Sequence, residues 1–129
     1  MSKSKALLAG ARCLIVDDEF LIALDLQDIL ETAGATTVAC FSDADEALAA
    51  LDAGDTFDLA VLDVNLGGAD RTSFSVAAAL ADRKTPFIFL TGMHHDATDT
   101  SNYRDAPVLE KPYRQEVVLA TIRSLLTRA

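Results

Sequence analysis

The stretch LAVLDVNLGG, from Leu59 to Gly68, decides how this chain is read. Its first four residues form a short, continuous apolar run, the pattern of a strand buried on both faces. The run closes on a carboxylate, Asp63, followed by Asn65 and the pair Gly67–Gly68. Burying a charge is costly unless something compensates it. A buried strand that ends on an acid therefore implies a use for that acid, and the use depends on what else arrives at the same place.

Outward from this strand the chain alternates strands with helices. CLIV (13–16) and TTVACF (36–41) precede it; PFIFLT (86–91) and PVLEK (107–111) follow. Between them, Ile22, Leu26, Ile29, Leu30 and Ala33 recur at helical spacing, with Asp25, Asp28 and Glu31 on the other side and Gly34 as the stop. Ser42 with Asp45 three residues on is a helix-start signal for Ala44, Ala47, Leu48 and Leu51, which Gly54 ends. A third helix is expected over Asp70–Arg83, and Val118, Ile122, Leu125 and Leu126 mark a last one. The polar segment from His94 to Asp105 suggests a short or irregular helix. Apolar strands separated by helices give an α/β fold: a flavodoxin-like, doubly wound, five-stranded parallel sheet with about five helices.

At 129 residues the chain makes one domain, with residues 1–11 expected as a flexible tail and 12–129 as the folded body, and no second composition regime for an output domain. Its net charge of -9 argues against nucleic acid as a partner, which needs clustered Lys and Arg. No apolar run reaches the length of a membrane span. Cys13 and Cys40 lie in strand-like runs with no metal spacing around them, and are expected to be reduced core residues of a cytoplasmic protein.

Sites in open parallel sheets form beyond the carboxyl ends of the strands. Strand one ends in Asp17, Asp18 and Glu19, strand three in Asp63, strand four in Thr91, strand five in Glu110 and Lys111. Alone, Asp17 and Asp18 read equally as acids at a helix start, and Asp63 as a turn residue. Together, carboxylates converging on one crevice repel unless a cation joins them. Mg²⁺ suits such a set, because it takes oxygen ligands and keeps several waters. Asp63 would then attack phosphorus, with Lys111 and Thr91 serving the new phosphoryl oxygens.

These residues, in this order and spacing, resemble the receiver domain of two-component response regulators over nearly the whole chain: the acidic pair Asp17–Asp18, the acceptor Asp63, Thr91, and Lys111–Pro112. The resemblance implies that Asp63 accepts a phosphoryl group from a sensor histidine kinase. It implies that Asp18, Asp63 and the backbone carbonyl of Asn65 hold Mg²⁺, with Asp17 acting partly through water, and that the Lys111–Pro112 bond is cis. The phosphorylated protein would then bind a downstream protein partner or serve as a phosphate sink.

Three features depart from the common pattern. Val108 stands where the family usually carries an aromatic switch residue, and Gly67–Gly68 replaces the usual Pro-Gly, which should loosen that loop. PFIFLTGM (86–93) resembles the stand-alone FAT GUY receivers, and that resemblance implies an HWE-type sensor kinase as partner. Met93 beside the site cannot orient water, so slow loss of the phosphoryl group is expected; His94 and His95 lack a third ligand and suit a solvated loop. Val117 is expected to be an exposed apolar residue facing a partner.

Other classes fit less well. An aspartyl-phosphate phosphatase would want a second Asp at position 65, where Asn stands. Flavin binding would want a Ser/Thr/Gly-rich phosphate loop in place of DDEF (17–20). A phosphorylation-independent adaptor would have no need of the complete acid, hydroxyl and lysine set.

Overall fold

The computed structural model describes residues 7–68, 71–92, 103 and 105–127. In chain order the elements are β1 (Arg12–Val16), α1 (Phe20–Thr32), β2 (Thr37–Phe41), α2 (Ala44–Asp52), β3 (Leu59–Asp63), β4 (Asn65–Gly68), β5 (Arg71–Thr72), α3 (Phe74–Asp82), β6 (Phe87–Thr91), β7 (Val108–Glu110) and α4 (Gln115–Leu126). The main sheet has the order β2-β1-β3-β6-β7, all parallel. This is the expected doubly wound α/β architecture, with four helices among the described residues. The expected helix within 94–105, and the readings of Met93, His94 and His95, lie outside the described residues.

Alternation along each strand divides the core into two layers. Cys13, Ile15, Leu59, Val61, Ile88 and Leu90 pack with α1 and α4 on one face. Leu14, Val16, Ala60, Leu62, Phe87 and Phe89 pack with α2 and α3 on the other. On the second face Phe74, Phe87, Phe89 and Tyr103 form an aromatic cluster with ring centroids 5.3–6.1 Å apart.

Several expectations are corrected. Leu8 is only 2% exposed and belongs to the first core layer; its N–H donates to the Ala33 carbonyl at 2.9 Å. Residues 7–11 are thus part of the body rather than tail, because the end of α1 leaves an apolar gap that Leu8 fills. The α2 cap is Asp43, not Ser42: its carboxylate accepts from Glu46 N at 2.8 Å, and Ser42 instead donates to the Glu46 carboxylate at 3.3 Å. Helix α3 begins at Phe74, not Asp70, because Asn65–Gly68 and Arg71–Thr72 pair antiparallel as a hairpin. Cys13 is buried as expected, and burial pushes its thiol up to about 12. Cys40 is exposed, because β2 is an edge strand covered less completely than the center of the sheet.

Candidate phosphoacceptor site

The sheet order reverses between β1 and β3, and the crevice at that switch point collects the acids. Cys13 to Val16 pairs with Leu59 to Leu62, so one residue further Asp17 and Asp63 fall level with each other. The Asp17 N–H donates to the Phe41 carbonyl at 3.0 Å, and the Val64 N–H to the Leu90 carbonyl at 2.9 Å. Both acids are therefore fixed by ladder bonds that continue past the strands. Asp17 is 3% and Asp63 4% exposed, whereas Asp18 and Glu19 face solvent.

Lys111 comes from the end of β7. Its N–H donates to the Thr91 carbonyl at 2.8 Å, and the Lys111–Pro112 bond is cis. Its ammonium lies 3.0 Å from Glu19 Oε1, 3.2 Å from Asp17 Oδ2 and 3.3 Å from Asp63 Oδ2. Alternation along the strands explains the meeting. Asp17, Asp63 and Lys111 are in phase with Ile15, Val61 and Leu109, which belong to the first layer. Thr91 is in phase with Phe87 and Phe89 on the second face; it is buried, and among the described residues its hydroxyl has no hydrogen-bond partner. Asn65 is exposed, opens β4 and pairs with Thr72.

Carboxyl oxygens of Asp17, Asp18, Glu19 and Asp63 lie within 4.8 Å of one another. One ammonium does not balance them. Burial, then the Asp17 charge, pushes Asp63 up to about 7 despite Lys111. Burial also raises Asp17, against the Glu19 N–H that donates to its Oδ1 at 2.8 Å and against Lys111. Burial alone would depress Lys111, but the hydrogen bond to Glu19 and the charges of Asp63 and Asp17 raise it. An oxygen-rich, under-neutralised set with a buried Asp17 Oδ2 that has no aligned hydrogen bond fits Mg²⁺ by its donor chemistry.

Three residues at the site went unassigned from sequence. Glu19 was visible as a third acid, but its reach to Lys111 spans 92 positions. Gly67 has φ +92, a conformation that favours glycine, and a Cβ there would stand a tight 3.3 Å from Asp18 Oδ2. Tyr113 donates to Asp25 Oδ2 at 2.8 Å, tying the segment after Lys111 to α1. A cavity of about 470 Å³, lined by Lys84, Phe87, Tyr103 and Leu125 among others, opens at the amino end of β6, away from the acids.

The response regulator receiver domain family matches residues 13–123, and the chain belongs to that family. It is a phosphoacceptor signalling module rather than a conventional enzyme, and receiver domains take their phosphoryl group from histidine kinases. Among solved structures it is similar to SdrG from Sphingomonas melonis Fr1, with 42% identity, a TM-score of 0.77, and coverage of 91% of this chain and 97% of that one. The BeF3-activated conformation of SdrG, from Pseudomonas melonis Fr1, matches at 42% identity and TM-score 0.70, over 89% of this chain and 98% of that one. A response regulator receiver protein from Sinorhizobium medicae WSM419, 23% identical with TM-score 0.77 over 92% and 96% of the two chains, shares the fold. No curated protein matches the chain. Among the described residues, no helix is long and apolar enough to cross a membrane.

Proposed function

We propose that Asp63 is the phosphoryl acceptor of a Mg²⁺-dependent response regulator. The observation that carries this reading is the meeting of Asp17, Asp63 and Lys111 in one mouth, with Lys111 Nζ 3.3 Å from the Asp63 carboxylate. An Asp63 oxygen attacks the phosphorus of a kinase phosphohistidine. The new P–O bond forms as the P–N bond breaks, and the imidazole nitrogen leaves with the electron pair. The attacking carboxylate must be ionised, which burial opposes and Lys111 favours. Asp18, Asp63 and the Asn65 carbonyl would hold Mg²⁺, with Asp17 through water. The metal supplies positive charge that keeps Asp63 ionised and offsets the anionic phosphoryl oxygens. Lys111 and the Thr91 hydroxyl, which has no partner among the described residues, are the chain's own donors for those oxygens.

The finer reading is a cytoplasmic receiver of the FAT GUY kind, paired with an HWE-type sensor kinase and acting through a protein partner or as a phosphate sink. PFIFLTG (86–92) supports it, as do Val108 and Val117, both 43% exposed, since an outward Val108 takes no part in an inward aromatic switch. The test is phosphoryl uptake from acetyl phosphate read by intact mass. A Mg²⁺-dependent gain of one phosphoryl group, absent in Asp63→Asn, is expected; equal gain in the mutant would refute the assignment.

A further inference from the structure

We propose that Glu19 is a positioning residue that holds the Lys111 ammonium in the unphosphorylated protein and competes with the phosphoryl group for it. The inference rests on the phosphoacceptor reading of Asp63. Glu19 occupies the N-cap of α1, where a shorter acid such as Asp would accept from the amides of its own helix. It makes no such bond. Its side chain turns instead to Lys111, whose ammonium donates to Oε1 at 3.0 Å. The contacts from that ammonium to Asp17 and Asp63 are longer, at 3.2 and 3.3 Å. The shortest bond of the ammonium thus goes to the outermost carboxylate, 58% exposed, and not to either of the buried acids.

The backbone fixes this arrangement. The Glu19 N–H donates to Asp17 Oδ1 at 2.8 Å, which sets the turn from which the Glu19 side chain departs. Lys111 is anchored from the other side through its own N–H on the Thr91 carbonyl. A phosphoryl group on Asp63 presents anionic oxygens at the inner end of the same mouth. To serve them Lys111 must surrender Glu19, and the freed carboxylate then faces a second anion. Glu19 accordingly favours the unphosphorylated state, and removing its contact should strengthen phosphoryl-mimic binding about two- to fivefold, the range of a solvent-accessible ion pair.

The experiment uses the full chain with Glu19→Gln, which removes the charge, and Glu19→Asp, which keeps the charge but is too short to reach Lys111. Trifluoroberyllate affinity is measured by ¹⁹F NMR at saturating Mg²⁺, and the Lys111 ammonium is followed by ¹⁵N NMR in the metal-free protein. Both variants should bind trifluoroberyllate two- to fivefold more tightly, and both should show faster proton exchange at the Lys111 ammonium than wild type. A Glu19→Asp variant that behaves as wild type, weaker binding by either variant, or an unchanged ammonium would overturn the role of Glu19. A wild type that takes up no trifluoroberyllate would sink the phosphoacceptor reading itself, and the two failures are told apart by that control.

Discussion

Asp63→Asn should stabilise the metal-free protein at neutral and alkaline pH, and not in acid. The folded chain raises this carboxyl from 3.8 to about 7, chiefly by burial and by the Asp17 charge. Above pH 7 the acid is ionised in both folded and unfolded chains, and the folded state carries the whole penalty. Below pH 4 it is protonated in both, and the penalty is gone. Between these limits the folded state binds more protons, so stability falls as pH rises. At about 1.4 kcal/mol per unit the shift corresponds to roughly 4 kcal/mol. The mutant also loses the 3.3 Å contact with Lys111, which offsets part of this. We expect a net gain of about 2 kcal/mol at pH 8, or roughly 5–10 °C in Tm for a chain of this size, falling to nothing near pH 4. Thermal unfolding in EDTA at intervals from pH 4 to 8 measures it. A mutant less stable than wild type at pH 8, or a difference that does not vary with pH, would refute the reasoning.

Metal should remove the same penalty: at a hundredfold excess over Kd, Mg²⁺ should stabilise wild type by about 2.7 kcal/mol, and Asp63→Asn by clearly less, as melting curves with and without the ion would show. Gly67→Ala places a Cβ 3.3 Å from Asp18 Oδ2 at φ +92, so it should cost about 1–2 kcal/mol and weaken Mg²⁺ binding in a calorimetric titration; unchanged affinity would mean that the hairpin does not support Asp18. Tyr113→Phe removes the 2.8 Å bond to Asp25 and should cost about 0.5–1.5 kcal/mol in urea unfolding, with a cost near zero showing that α1 is not held there. Thr91→Ala deletes a buried hydroxyl that has no partner among the described residues; stability should hold within about 1 kcal/mol, while the chemical-shift response to trifluoroberyllate is lost.

The five parallel strands were legible because each is apolar along most of its length, and β3 and β6 are buried at every position. The acids and Lys111 were legible because a doubly wound sheet leaves strand-end residues one crevice to share. What escaped was tertiary. The 65–72 hairpin carries no alternating pattern and depends on a positive φ at Gly67, so its second strand, Arg71–Thr72, reads from sequence as the start of a longer helix. Cys40 was placed inside because its neighbours are apolar, yet strand order alone makes β2 an edge. Leu8 is fixed by Ala33, and Glu19 by Lys111, over separations that local spacing does not report.

The sheet separates Asp63 from Thr91. Asp63 is in phase with the α1 and α4 side, and Thr91 is in phase with Phe89 and its ring cluster on the α2 and α3 side. If Asp63 is the acceptor, a bond from Thr91 to the group it carries would be a stitch through the partition, pulling on one layer from chemistry performed on the other. The backbone of β6 would be the thread: a displacement at Thr91 would carry Phe89 with it, and the perpendicular contact of Phe89 with Phe74 would pass the tug to the first residue of α3.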